Sequence, residues 1–232
     1  MFNWKEGFEG FELEVIEGSP RRYVTPEGNI YPSMTSVLSI LSKDSIEKWK
    51  KRVGQKAANK ISRQAAGRGT NVHSMCEKYI ANEDPYKGAM PDAIEMFNSI
   101  KPLITEHVGE VITQEASLYS DTLGIAGRVD LIANWDDELS VVDFKTSRKP
   151  KKEEWILGYY LQTTGYAMMF EERYGIPIDN IVVLIAVEGE NPQIFSAKKD
   201  KYISRLQDTI LLYKEDNNEN DIASSGNIGS VN

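Results

Sequence analysis

Three residues set the chemistry this chain could perform. Asp130, Asp143 and Lys145 lie in two strand-like stretches, Gly127-Arg128-Val129-Asp130-Leu131 and Val141-Val142-Asp143-Phe144-Lys145. Side chains alternate across a strand, so Val141, Asp143 and Lys145 share one face and Val142 and Phe144 the other. In the preceding strand Arg128, Asp130 and Ile132 point one way, and Val129, Leu131 and Ala133 the other. If Val129/Leu131 and Val142/Phe144 both face a core, Asp130 falls beside Asp143 across the hairpin. Two carboxylates so placed repel by ~1 kcal/mol or more at the low effective dielectric of a cleft. A divalent cation offsets that best, and oxygen ligation favours Mg2+ or Mn2+. Glu115, in the strand before, could complete the acidic cluster and reads equally well as one of many exposed glutamates. A D-x-K triplet alone is a common accident, so the weight rests on the combination.

The elements that must position these residues follow from periodicity and punctuation. Phe11 to Ile16 and Arg21 to Tyr31 are short β-prone stretches, with Ser33 placed as a helix N-cap. Asp44 and Glu47 resemble a capping box that opens a helix over 44–64. Gly67 and Gly69 then interrupt it, before a helix over 70–82 and another from Pro91 to His107, whose histidine is a favourable charge at a helix end. Period two follows: Val111 to Tyr119, Ile125 to Ala133 and Leu139 to Thr146 predict three antiparallel strands. A helix over 153–174, an apolar strand over 181–187, a short strand over 193–195 and a helix over 198–214 complete a mixed α/β layer architecture. The order predicts one domain over 1–214. Residues 215–232, without a basic or aromatic side chain, read as a disordered tail.

Composition narrows the function classes. With 232 residues, 41% hydrophobic and 27% charged, the chain has enough apolar material for a sizeable core. Its longest apolar run, Ile181 to Val187, is far short of the roughly 20 residues needed to span a bilayer. The opening MFNWKEGFEG resembles neither a secretory signal nor an Arg-rich transit peptide, so a cytoplasmic setting is expected, in a bacterium or a phage-infected cell. A single cysteine, Cys76, cannot form an internal disulfide or hold an iron–sulfur cluster alone. Net charge is −8, against non-specific binding of a polyanion, yet Lys48 to Arg68 holds eight basic residues and no acid. Arg148, Lys149, Lys151 and Lys152 add a second basic run. Such stripes on an acidic body bind a polyanion locally, or are simply solvated faces.

The ordered motifs Gly127-Arg128-Val129-Asp130, Val142-Asp143-Phe144-Lys145-Thr146-Ser147 and Gln162-Thr163-Thr164-Gly165-Tyr166 resemble the PD-(D/E)xK nuclease superfamily in its RecB-like branch. Gly69-Thr70-Asn71-Val72-His73 is similar to the histidine element of that branch. Pro32-Ser33-Met34-Thr35-Ser36-Val37-Leu38, Trp49-Lys50-Lys51-Arg52 and Lys145-Thr146-Ser147-Arg148-Lys149-Pro150 are similar to the mitochondrial genome maintenance exonuclease group. The likeness spans about residues 31–215.

The resemblance implies a restriction-endonuclease-like core at about 91–214, a central mixed sheet flanked by helices, and an N-terminal helical arch at about 33–80. By the same implication Asp130, Asp143 and the Phe144 carbonyl hold the metal, with His73 and Glu115 beside them. Lys145 orients or activates water and stabilises charge, and Gln162 and Tyr166 reach the site edge from one helix face. Tyr166 reads equally as core, alongside Trp155, Tyr159 and Met169, and His73 as a buried hydrogen-bonded histidine. Lys50, Lys51, Arg52, Lys56, Arg68, Ser147, Arg148 and Lys149 are the expected DNA contacts. The implied activity is a metal-dependent DNA exonuclease acting on single strands with a free end, in replication, recombination or repair. Resection of duplex DNA and a non-catalytic nucleic-acid-binding module are the alternatives. Relatives with an iron–sulfur cluster use four cysteines, so that cofactor is not expected.

Overall fold

A computed structural model describes the backbone of residues 1–225 and the side chains of residues 1–217. Three short strands, β1 (Glu14–Ile16), β2 (Arg22–Val24) and β3 (Ile30–Pro32), form an antiparallel meander. Helices α1 (Met34–Leu38), α2 (Lys43–Val53), α3 (Gln55–Ile80) and α4 (Pro91–His107) follow. The main sheet comprises β4 (Val108–Ser120), β5 (Ile125–Trp135), β6 (Glu138–Ser147), β7 (Asn180–Val187) and β8 (Gln193–Lys198), in that spatial order. Helix α5 (Leu157–Tyr174) is the crossover that makes β6 and β7 parallel, while the other neighbours are antiparallel. Helix α6 (Ile203–Ser225) closes the described chain. The mixed sheet flanked by helices is the predicted fold class.

Helices cover both faces of the sheet, which is why β7 is apolar along almost its whole length. On one face Met34 of α1, Tyr160 and Phe170 of α5 and Leu206 of α6 pack over Ile132, Val141, Val183 and Ile185. On the other, Val72 and Met75 of α3 and Phe97, Ile100 and Ile104 of α4 pack over Leu131, Val142, Phe144 and Leu184. Among the described residues no helix is long and apolar enough to cross a membrane.

Four expectations need correction. Val129, Leu131 and Ala133 do not share a face: Val129 packs in the first layer, and Leu131 and Ala133 in the second. The alternation is interrupted at Asp130, where the facing strand carries Glu115 at φ +50°. The expected interruption at Gly67 and Gly69 is also absent. The chain turns instead at Gly54, whose φ of +85° suits a residue without a side chain, and α3 runs unbroken through the other two glycines.

The projecting part is shorter than 33–80. Helix α2 buries no side chain, and α3 buries only Ala58 before Val72, whereas Met34, Val37, Met75 and Ile80 belong to the core. Finally, α6 continues past Lys214 to Ser225 where a tail was expected, held in part by the Lys43 ammonium 2.8 Å from Asp216. Residues 226–232 of that expected tail lie outside the described residues.

The sheet separates the two layers, so their contributions to stability should be independent. Ile185→Val in the first layer and Ile100→Val in the second should each cost about 0.5–1.5 kcal/mol in urea unfolding. The double variant should cost their sum to within about 0.5 kcal/mol.

Candidate active site

The site forms where β5 and β6 part. Their ladder runs from Trp135 opposite Glu138 to Leu131 opposite Val142. One residue further on, the Asp130 carboxylate replaces the backbone partner: its Oδ2 accepts the Phe144 N–H at 2.9 Å. A side chain thus does the work of a ladder carbonyl, and it fixes an anion at the fork. Helix α3 crosses this side of the sheet and places His73 Nδ1 3.4 Å from Asp130 Oδ2, with the ring edge-on to Phe144. Across the other ladder, Glu115 stands opposite Asp130, and its left-handed backbone departs from the regular pleat of β4. Its carboxylate pairs with Arg128 Nε at 2.8 Å, and Arg128 also donates to the Glu115 carbonyl.

His73, Glu115 and Asp130 each offer one ligand atom, and these atoms all lie within 4.8 Å of one another. Asp143 is not a member of that trio. It is 1% exposed, its Oδ2 is held by the Lys145 ammonium, and its Oδ1 is buried without a hydrogen-bond partner. The Lys145 ammonium also lies 5.4 Å from the centre of the Tyr159 ring. A buried carboxylate oxygen left without a donor, as Asp143 Oδ1 is, favours a cation. One imidazole and two carboxylates gathered this closely fit a divalent ion, Mg2+ or Mn2+ by their hardness.

The electrostatics report the same crowding. Burial, then the Asp130 charge, pushes the Glu115 carboxyl up to about 7. Burial, against the pull of Lys145 and with the repulsion of Asp130, holds Asp143 at about 6. Burial also opposes ionisation of Asp130, but His73, Lys145 and the Phe144 N–H prevail and its pKa falls. His73 and Lys145 are each raised, the carboxylates outweighing the penalty of burial.

A cleft of about 730 Å³ opens onto this cluster, lined by His73, Glu115, Asp130, Lys145, Gln162 and Tyr166. Tyr166 is almost fully buried, and its phenol is raised well above the ordinary value, chiefly by burial, while a hydrogen bond from Gln162 opposes the shift. Its ring packs on Gly127: a methyl group there would lie 2.8 Å from Tyr166 Cε1. Phe144 sits in the second core layer beneath the site.

The expected polyanion contacts divide. Lys51, Arg52 and Lys56 are exposed on the projecting helices, Lys50 is half-buried, and Arg148 and Lys149 are exposed after β6. Arg68 is different: its side chain is 9% exposed and 3.9 Å from Glu188, which also lies 3.8 Å from Arg148. Ser147 is buried, and its Oγ donates to the Lys149 carbonyl, so it shapes the turn. Sequence reasoning missed Arg21, Tyr23, Ser33 and Thr35 as lining of the cleft. Ser33 and Thr35 entered only as part of a motif, and Ser33 as an N-cap, which it is, accepting from Ser36 N–H. Arg21 and Tyr23 carried no local signal, because the meander reaches the cleft through long-range packing.

The sequence pattern of the PD-(D/E)XK nuclease superfamily matches residues 44–220. Human mitochondrial genome maintenance exonuclease 1 is 24% identical over 179 residues, 71% of this chain and 51% of that protein. The Xenopus tropicalis counterpart is 24% identical over 196 residues, 78% of this chain and 55% of that protein. The chain therefore spans about half the length of the curated relatives it matches. A crystal structure of a Eubacterium rectale protein provisionally described as an exonuclease is similar with a TM-score of 0.44 at 14% identity, covering 65% of this chain and 67% of that one.

Glu115 makes the site testable without a substrate. Its folded pKa of about 7 lies above the ordinary 4.5, so the stability it contributes is full below pH 4.5 and lost as pH rises toward 7. In EDTA, Glu115→Gln should therefore melt above wild type at pH 8, by about 2–4 °C per kcal/mol recovered, and match it near pH 4.5. With Mn2+ added at pH 8, wild type should gain more than the variant, as scanning calorimetry would record.

Proposed function

The chain belongs to the PD-(D/E)XK nuclease superfamily, and from that premise we propose that it is a metal-dependent DNA exonuclease acting on single strands with a free end. The observation that carries the reading is the gathering of His73, Glu115 and Asp130 within 4.8 Å in one cleft that Lys145 also lines. We assign the metal to those three side chains, with Asp143 and the Phe144 carbonyl as the remaining oxygen donors. A bound Mg2+ or Mn2+ there supplies Lewis-acid polarisation of a phosphate and an acidified water.

The chain's own residues do the rest. Asp130, tied to the Phe144 N–H, keeps β5 and β6 at a fixed separation and so holds the donors in place. Lys145, steadied by Asp143 and by the Tyr159 ring, presents a positive charge to the phosphate as negative charge builds on it. His73, bridged to Asp130, turns its imidazole toward the same carboxylate from α3. Gln162 and Tyr166 bound the cleft on the α5 side, where the Tyr166 ring closes against Gly127 and excludes water from that wall. The projecting α2 and the first half of α3, with Lys51, Arg52 and Lys56 in solvent, track the phosphates of an approaching strand. The relatives named as mitochondrial genome maintenance exonucleases support a role in DNA maintenance.

End-labelled single and double strands, with blocked-end controls, test the reading. Wild type with Mg2+ should shorten free-ended single strands stepwise and stop in EDTA, and Lys145→Ala should lower the rate by about 10²–10³-fold. Degradation that is equal for wild type, Lys145→Ala and Asp143→Asn would overturn the assignment. Gly127→Ala should lower the rate in the same direction through displacement of the Tyr166 ring, with the melting temperature as the control for folding. Lys51→Ala, Arg52→Ala and Lys56→Ala should each reduce the slope of log affinity against log salt by about 0.7, leaving the rate at saturating substrate unchanged.

A further inference from the structure

Trp155 stands apart from the core that was one of two readings of its stripe. It is 60% exposed, the most exposed aromatic among the described residues, and it sits in a single 3-10 turn (Glu153–Trp155) between β6 and α5. Exposure here is not looseness. Ile156, the next residue, is fully buried. The Tyr160 hydroxyl donates to Glu153 at 3.3 Å, and the Trp155 N–H donates to the Lys152 carbonyl at 2.9 Å. Gln193 of β8 clamps the same loop by bonding both the N–H and the carbonyl of Lys151. The indole is therefore held out on a rigid support, where its apolar faces meet water at a standing cost.

Its neighbours indicate what those faces take. The Lys152 ammonium lies 5.3 Å from the ring centre and 3.9 Å from the exposed Glu154, and Arg148 and Lys149 are exposed upstream on the same connection. The turn joins the strand that carries Lys145 to the helix that carries Tyr159, Gln162 and Tyr166. Trp155 and Tyr159 are four residues apart, and Tyr159 contacts the Lys145 ammonium. A flat π-surface with an ammonium at its face, on the connection between the strand of Lys145 and the helix of Tyr159, complements a chain of flat bases on a phosphate backbone.

We propose that Trp155 is a stacking platform for an unpaired nucleobase of the single strand entering or leaving the cleft, with Lys152, Lys149 and Arg148 holding the adjoining phosphates. This rests on the nuclease reading above and adds a residue to it. It also accounts for a single-strand preference, because a base within a duplex is already stacked.

The test is binding in EDTA by the full chain, with a labelled oligodeoxythymidylate and an abasic strand of equal length. Trp155→Ala should lose about 5- to 150-fold in affinity for the thymidylate strand. It should match wild type on the abasic strand and keep the wild-type salt slope and melting temperature, and Trp155→Phe should recover most of the loss. Unchanged affinity of Trp155→Ala for the thymidylate strand overturns the platform while leaving the nuclease reading intact. Equal losses on both strands overturn it too, since the effect is then not on the base. Wild-type protein that binds neither strand overturns the platform and the single-strand reading together.

Discussion

The structure depends on a contact at the fork between β5 and β6: the Asp130 carboxylate accepting the Phe144 N–H at 2.9 Å. An edge-to-edge ladder would have continued past Leu131 and Val142, satisfying backbone with backbone. With a side chain as the partner instead, the strands stay apart by the length of a carboxylate, and an anion is fixed in the gap. The neighbouring groups compensate for it. His73 comes from α3, Lys145 from the next turn of the pleat on β6, and Glu115 stands opposite with a left-handed backbone.

Such a gathering opposes folding, and its location explains why the fold tolerates it. Burying Glu115 and Asp143 raises both carboxyls, to about 7 and about 6, so the metal-free protein holds charge it would do better without. The cost is carried by two apolar layers that pack on opposite faces of a fully covered sheet. Strain of this kind, a non-glycine residue at φ +50° whose carboxylate is gathered with His73 and Asp130, belongs where a ligand relieves it.

Much of this was legible in the residue order. Alternation in Val141 to Lys145 correctly put Asp143 and Lys145 on one face, because β6 is regular along its length. The elements of the β4–β6 meander and of α4 fell where period and punctuation put them. The reading of β5 failed at one residue, since alternation presumes an unbroken pleat and Asp130 interrupts it. The division of α2 from α3 was misplaced because Gly67 and Gly69 fit a helix as well as a turn, whereas only Gly54 adopts a conformation that other residues resist. His73 entered through the likeness of its motif to a family, not through any local property of a histidine.

By itself, the sequence determined that a mixed sheet would form between helices, that an aspartate and a lysine would sit two residues apart on a central strand, and that two stretches of the chain would be basic without an intervening acid. Those are properties of neighbours along the chain, set by side-chain period and local charge. Tertiary structure alone decided that His73, Glu115 and Asp130 converge while Asp143 turns to Lys145, that Arg68 is held near Glu188, and that Trp155 stands in solvent. The convergence of His73, Glu115 and Asp130 and the approach of Arg68 to Glu188 are distances between segments far apart in sequence, and such distances are fixed only when both layers pack.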